Sequence, residues 1–281
     1  MAPPSLPSLP PLAVVLLAGL SLPARAQLPL SIEALLVQDH RLSATVIAGR
    51  SSHREPVLAR GPAGASLAWR EFTVDQSGFG LRYGVSPRLE LNARYEHNSL
   101  HWTLDGGSAG RDSGARVVAG ANWLALRGSA GSLLLDVRLD AAARTLGSLD
   151  GWQAAAGGSL GATWYRPLDP VVLAVAARYR EVRSRRTPLG TLQPAPATTV
   201  DASVNFALNQ QVTLLGGVAL VHQDEGGTPL PRASGGSLRA SLMTGLAYQP
   251  VAPATLFLRA RLPVGASEGG GGITAELLYE F

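Results

Sequence analysis

Charged side chains alternate with apolar ones along much of the chain, and they are the groups best placed to do chemistry. In a β-strand successive side chains point to opposite faces, so residues spaced by two share one face. Guanidinium groups on such a face bind anions by charge and aromatic solutes through their flat surfaces. The residues that this spacing predicts to line an interior are Arg82, Glu90, Arg94, Asp136, Arg138, Arg178, Arg180, Asp201, Arg239, Arg259, Arg261 and Glu276.

The same groups also have a purely structural interpretation. Opposite charges on neighbouring strands form cross-strand ladders, which fill an interior without binding any solute. Arg259 and Arg261 lie beside Glu276 and Glu280 on the following predicted strand, which is the arrangement of such a ladder. The sequence leaves both the solute-binding wall and the neutralised ladder open.

The overall composition excludes several classes of function. The chain has 281 residues and no Cys, which rules out disulfide frameworks and thiol chemistry. All 24 basic residues are Arg, and the net charge of +4 is spread along the chain instead of forming a basic block. Nucleic-acid binding therefore has little support. The length suits one large all-β domain.

The amino-terminal segment has the pattern of a secretory signal peptide. An apolar run, Leu12–Leu20, precedes the small-residue cleavage motif Ala24-Arg25-Ala26, although no basic residue precedes the run. We predict a signal peptide over residues 1–26, a lead segment over 27–41 and a single domain over 42–281. No later run reaches the roughly 18 apolar residues of a transmembrane helix, so any membrane insertion must use strands.

Period-two alternation predicts about twelve strands that position the charged face. The last, Ile273–Phe281, puts Ile, Ala, Leu, Tyr and Phe on one face and ends on an aromatic residue. The first is predicted over Leu42–Arg50 and is followed by a polar loop over 51–65, and a bulge is predicted at Gln76–Gly78. Three roles stay open for residues 27–41: they precede, line or plug the domain.

The connections between the predicted strands alternate in length. Long connections follow odd-numbered strands, whereas short turns follow even-numbered strands around Pro87, Gly128, Leu168, Asn209 and Ala252. An outer-membrane barrel sorts its connections in this way, with short periplasmic turns and longer external loops. Aromatic residues on the apolar phase are predicted to mark two interfacial bands. One band holds Tyr83, Trp164, Phe206, Tyr248, Tyr279 and Phe281 near the turns, and the other holds Trp102, Trp152 and Tyr179 near the loops.

These patterns predict an all-β fold, a closed antiparallel transmembrane β-barrel of about 12 strands with short periplasmic turns and long external loops. A soluble β-sandwich is the alternative, but it has no reason to expose so many Leu and Val residues on the face away from the charges. The expected partners are outer-membrane lipid, the barrel-assembly machinery during insertion and a small-molecule solute. The expected location is the outer membrane of a Gram-negative bacterium, reached after cleavage of the signal peptide.

Three segments of the chain resemble a known family. They are Gly80–Leu91, Leu168–Leu173 and Val204–Val212, and each spans or adjoins one of the predicted short turns. They are similar to the outer-membrane family named for the meta-pathway of phenol degradation, a set of transporters, and the resemblance covers most of the chain after residue 40. It implies a barrel that admits hydrophobic or aromatic compounds, and it supplies no catalytic residues.

We therefore expect a passive channel or transporter for small molecules, aromatic or anionic ones among them, and not an enzyme; no cofactor or metal is expected. One alternative is a non-transporting barrel with a structural or surface-interaction role. A weaker alternative is an outer-membrane lipid hydrolase. His97 and His101 beside Asn98 and Ser99 faintly resemble the Ser/His/Asn site of outer-membrane phospholipase A, although the surrounding sequence does not match. The His residues show no metal-ligand spacing.

Overall fold

The computed structural model describes residues 36–61, 64–104, 109–144, 151–187, 190–224, 237–264 and 270–281. The predicted signal peptide and residues 27–35 of the lead segment lie outside the described residues. Strands make up nearly all of the described chain. This part of the chain contains no helix that is long and apolar enough to cross a membrane.

Fourteen strands follow one another in the described residues. Twelve of them form the barrel wall, while β8 and β9 form a separate two-stranded hairpin. Their bounds are β1 Leu42–Gly61, β2 Gly64–Ser86, β3 Leu89–Leu104, β4 Ala109–Gly128, β5 Gly131–Arg144, β6 Gln153–Leu168, β7 Val171–Val182, β8 Arg185–Thr187, β9 Gly190–Leu192, β10 Ala197–Ala207, β11 Val212–Gln223, β12 Ser237–Val251, β13 Ala254–Val264 and β14 Gly272–Glu280.

The barrel closes because its first and last strands pair. β1 and β14 are antiparallel, with a register that runs from Ser43 opposite Glu280 to Ser51 opposite Gly272. Each other pair of neighbours is consecutive in sequence, except that β7 pairs with β10 because the small hairpin lies between them. The predicted fold class, a closed antiparallel barrel of twelve strands, is confirmed. Through closure each of the twelve wall strands has a paired neighbour on both sides, as a membrane-spanning sheet requires.

Short turns gather at one end of the barrel, as predicted. Two residues join β2 to β3, β4 to β5, β6 to β7 and β12 to β13, and four residues join β10 to β11. At the other end the predicted polar loop over 51–65 is wrong, since β1 continues to Gly61 and β2 begins at Gly64. Backbone ladders form whatever the polarity of the side chains, and β1–β4 therefore extend well beyond the roughly 10 residues that cross a bilayer.

The predicted bulge at Gln76–Gly78 is also wrong, because the pairing of β2 with β3 is continuous there. The register shifts instead between Gly84 and Ser86, beside the turn. The Ser86 hydroxyl accepts hydrogen bonds from the N–H groups of Arg88 and Leu89 at 3.3 and 3.1 Å. This side-chain bonding stabilises the tight turn and explains why the irregularity lies at the end of the strand.

The two faces of the wall differ in composition, and β5 shows the difference most simply. Val137 and Leu139 are each 49% exposed, whereas Asp136 and Asp140 are each only 6% exposed. Carboxylates avoid burial unless they are paired, so their phase must be the interior of the barrel. The exposed Leu and Val residues form the outer surface, which lipid would cover.

The predicted aromatic bands need one correction. Trp152 and Tyr179 near the loops and Tyr83 and Trp164 near the turns are exposed, as the lipid-facing prediction requires. Trp102 instead lies on the interior phase, because the alternation of β3 continues unbroken from Glu90. Its ring lies against the backbone of Gly110 on β4, where a larger residue would collide with it.

Candidate functional site

The most buried charge of the interior is the carboxylate of Glu90 on β3, which is 0% exposed. Arg82 on β2 donates to both of its oxygens, over 3.0 Å from Nε to Oε1 and 2.7 Å from Nη2 to Oε2. The Asn122 side-chain amide on β4 and the backbone N–H of Val37 each donate at 2.8 Å. A buried carboxylate is tolerated when it is paired and its lone pairs are filled, and both conditions hold here.

A second group of charges crosses several strands of the same half of the barrel. The carboxylate of Glu96 on β3 accepts a 2.6 Å hydrogen bond from Arg116 Nε on β4 and forms a 2.8 Å ion pair with Arg94. Arg116 also approaches Asp140 on β5 at 3.8 Å, and Arg180 on β7 donates to Asp140 at 2.8 Å. These groups alternate in charge and neutralise one another, as a cross-strand ladder does.

The third group centres on Asp136 of β5. Arg178 Nη2 on β7 donates to Asp136 Oδ1 over 3.1 Å, and Arg138 forms an ion pair with the same oxygen at 3.3 Å. β6 lies between β5 and β7, and Gly161 is its residue opposite both Asp136 and Arg178. A Cβ at Gly161 would collide with the Asp136 carboxylate, so the glycine is what lets the two charges meet across the intervening strand.

The strands β12–β14 carry a sparser set of charges. Arg259 Nη1 donates to Glu276 Oε2 at 2.6 Å, and its guanidinium lies 4.7 Å from the ring centre of Phe257. Arg261 donates only to the sulfur of Met243, at 3.5 Å, and a thioether is a weak acceptor. The predicted ladder therefore forms at Arg259 and not at Arg261.

The register explains this partial ladder. Glu276 lies opposite Phe257, one diagonal step from Arg259, whereas Arg261 lies opposite Gly272. Arg239 on β12 is exposed, and like Arg261 it has no carboxylate within ion-pair distance among the described residues. Asp201 on β10 interacts electrostatically with Arg261 and Arg178, but it pairs with neither.

The twelve residues of the predicted polar face all fall on the interior phase of their strands. The structure joins nine of them in ion pairs and leaves Asp201, Arg239 and Arg261 without one among the described residues. The prediction missed Arg116 and Asn122 on β4, where small residues weaken the alternation. Counting by two from Asn122 would have found Arg116, since both share the even-numbered phase.

Residues 36–41 lie inside the mouth of the barrel at the end with the short turns. The N–H of His40 donates to the carbonyl of Gly84 at 2.9 Å, and the N–H of Gly84 donates to the carbonyl of Arg41 at 3.0 Å. A side chain at Gly84 would collide with the carbonyl of Gln38, so the close approach requires glycine. The segment therefore crosses the inner face of β2.

Apolar contacts hold the start of this segment. Leu36 packs against a cluster of Leu124, Leu134 and Tyr165, and Val37 is only 3% exposed. The segment and the cluster border a cavity of about 320 Å³. Of the three roles open for the lead segment, the described part both lines the mouth and fills part of it.

The serine, histidine and asparagine residues of the hydrolase alternative do not all converge on one site. Ser99 Oγ and His101 Nε2 lie 3.2 Å apart on the outer phase of β3. Asn98 lies on the opposite phase, because it is adjacent to Ser99 in an uninterrupted strand. In the part of the chain that the structure describes, no three His, Asp or Glu residues are grouped as a metal site.

Solved structures with a similar fold are outer-membrane β-barrels. The translocator domain of the autotransporter NalP from Neisseria meningitidis is 11% identical, with 89% of this chain and 91% of that chain covered and a TM-score of 0.54. The transport unit of the autotransporter AIDA-I from Escherichia coli is 12% identical, with 87% and 92% covered and a TM-score of 0.53. A deletion mutant of the monoaromatic hydrocarbon channel TodX is 10% identical, with 87% and 91% covered and a TM-score of 0.50.

At these identities the likeness concerns the fold alone. No protein-family model matches the chain, and no curated protein matches its sequence. The chain has the fold of the outer-membrane β-barrel proteins.

Proposed function

We propose that this protein is a passive channel of the Gram-negative outer membrane that conducts small molecules and favours anionic ones. The single observation that carries the proposal is the division of the wall, with exposed Leu and Val outside and arginines and carboxylates inside. A barrel that served only as an apolar scaffold would have no need for a charged interior, because burying charge is costly.

The exterior supports insertion into lipid. Leu160 and Leu242 are 63% and 50% exposed, and many other aliphatic side chains on the outer phase are exposed as well. Such a surface is unfavourable in water and favourable in a bilayer. Export with cleavage of a signal peptide over residues 1–26, and insertion by the barrel-assembly machinery, belong to the same proposal.

The interior supports a preference for anions. Among the predicted interior residues, Arg outnumbers Asp and Glu by eight to four, and with Arg116, Glu96 and Asp140 the ratio is nine to six. An excess of one sign in a narrow polar lumen raises the local concentration of the opposite ion. The aromatic part of the solute class rests on the resemblance to the phenol meta-pathway family.

Single-channel recording in planar bilayers tests this proposal. We expect discrete conductance steps, and under a KCl gradient we expect a reversal potential shifted toward the chloride equilibrium value. Refolded protein that inserts without conducting, both with and without residues 27–41, or that conducts with cation preference, would overturn the proposal.

A second candidate is a closed barrel with a structural or surface-interaction role. The specific observation in its favour is the packing of Leu36 and Val37 in the mouth, which narrows the opening. The two candidates separate in the same recordings. A silent barrel that becomes conductive when residues 27–41 are deleted would be a gated channel, whereas one that stays silent would be structural.

A further inference from the structure

The interior arginines fall into two sets that differ in pairing and exposure. The first set comprises six half-buried arginines on β2–β7, each with a carboxylate partner: Arg82, Arg94, Arg116, Arg138, Arg178 and Arg180. On β12 and β13, Arg239 and Arg261 are exposed and have no carboxylate partner among the described residues. Of these two sets, the one along the β12–β13 wall is therefore the less neutralised.

The exposure of an arginine on the inner face also indicates whether solvent reaches its side chain. A guanidinium on the interior phase is solvent-accessible where water reaches it from the lumen or from the end of the barrel. Met243 lies opposite Arg261, and other inner positions nearby are small, with Ser241 and Gly245 on β12 and Gly217 on β11. The inner face of β3–β7 instead carries long side chains that pair with one another, so Arg239 and Arg261 are more accessible than the arginines of the paired set.

The cost of binding an anion differs between the two sets. At Arg178, an anion must compete with Asp136, and success would take one of two arginine partners from a buried carboxylate. Among the described residues, the one hydrogen-bond partner of Arg261 is the Met243 thioether, which an anion can displace at little cost. The planar guanidinium can then offer two parallel N–H donors to a carboxylate or phosphate oxygen pair.

We propose that Arg261, with Arg239 nearer the external end of the same wall, forms the anion-binding step of the channel, for chloride, phosphate and small carboxylates. Arg239 lies four residues along β12 from Met243, the partner of Arg261 in the ladder. This spacing corresponds to roughly 13 Å along the strand. The two guanidinium groups thus form successive sites, and Arg259 continues the line inward, partly neutralised by Glu276. This inference rests on the proposed anion-favouring channel and names the residues that confer its preference.

The test compares three substitutions that remove the same charge. Arg261→Gln removes the proposed site, Arg94→Gln removes a paired interior arginine, and Arg111→Gln removes an exposed arginine on the outer phase of β4. Far-UV circular dichroism and heat-modifiable gel migration establish that each variant is folded. The first readout is the chloride concentration that gives half-maximal conductance.

We expect Arg261→Gln to raise this concentration roughly tenfold, the equivalent of losing one charge-assisted hydrogen-bonded contact. Arg261→Lys should raise the half-maximal chloride concentration less than Arg261→Gln does, and Arg111→Gln should leave this concentration unchanged. If Arg94→Gln raises the half-maximal chloride concentration as much as Arg261→Gln does, the assignment is overturned, because paired arginines would then bind chloride equally well. The assignment is also overturned if Arg261→Gln leaves this concentration unchanged.

A second readout separates failure of this inference from failure of the channel itself. Chloride-35 NMR line broadening by detergent-solubilised protein measures anion binding whether or not the barrel conducts. We expect the Arg239→Gln/Arg261→Gln double variant to lose most of the broadening that added phosphate can displace. A silent barrel that still shows this loss refutes the channel and keeps the anion site, while conduction without any loss refutes the site and keeps the channel.

Discussion

The Glu90 carboxylate provides the sharpest prediction for stability. Glu90→Ala removes the acceptor of four hydrogen bonds, two from Arg82 and one each from Asn122 and the Val37 N–H. Removing one partner of a buried ion pair costs about 3–5 kcal/mol. Because the Arg82 side chain is 23% exposed and can be partly rehydrated, we expect the lower end, about 3 kcal/mol.

Equilibrium unfolding in urea from phospholipid vesicles, followed by Trp fluorescence, measures this cost as a lower midpoint at unchanged slope. Glu276→Ala is the matched control. It also removes one carboxylate from an interior pair, but that pair is 46% and 24% exposed, and we expect a cost below about 1 kcal/mol. Equal costs for the two variants, or a cost for Glu90→Ala below about 1 kcal/mol, would refute the argument that burial sets the strength of these pairs.

Three further predictions follow from the same geometry. Gly161→Ala should destabilise the barrel by about 1–3 kcal/mol in the same urea titration, because the added methyl group collides with Asp136. Gly216→Ala is the control and should be close to neutral, because a Cβ added there meets nothing nearer than 3.8 Å. Leu36→Asp should release the lead segment and raise the single-channel conductance. Leu42→Asn, which alters the outer face, should leave the conductance at the wild-type value. Equal effects of the two substitutions would contradict the role of Leu36 in narrowing the mouth. Tyr165→Ala, which empties a site that is 2% exposed, should cost about 3–5 kcal/mol in the urea titration, and a cost under about 1 kcal/mol would contradict the packing of the cluster.

Period-two alternation predicts most of the fold, because a lipid-facing surface and a polar interior require side chains of opposite polarity at successive residues. The closing strand and the short turns could be predicted for this reason. The extension of β1 beyond Arg50 could not, since residues 51–56 are polar, charged or Pro and show no alternation with apolar residues. The band prediction is wrong for Trp102 because aromatic character does not determine register, and the register of β3 places residue 102 on the interior phase.

The interior residues could be predicted as a set, but their partners could not. Pairing depends on register and on which strands are adjacent, and Asp136 reaches Arg178 only because β6 carries a glycine between them. The Val37 contact to Glu90 joins residues 53 positions apart and leaves no periodic signal in the sequence. That Arg261 has no carboxylate partner among the described residues likewise becomes visible only when the register with β14 is known.

Two adjacent residues of β10 test the central claim most directly, namely that lipid covers one phase of the wall and water fills the other. The chain has no Cys, so Ser203→Cys and Val204→Cys each accept a single spin label. Val204 is 47% exposed on the outer phase, and Ser203 lies on the interior phase. In vesicles we predict that oxygen relaxes the label at 204 more strongly than a water-soluble nickel chelate does, and that the chelate dominates at 203. The claim would be contradicted if the chelate relaxes the label at 204 and does not relax the label at 203.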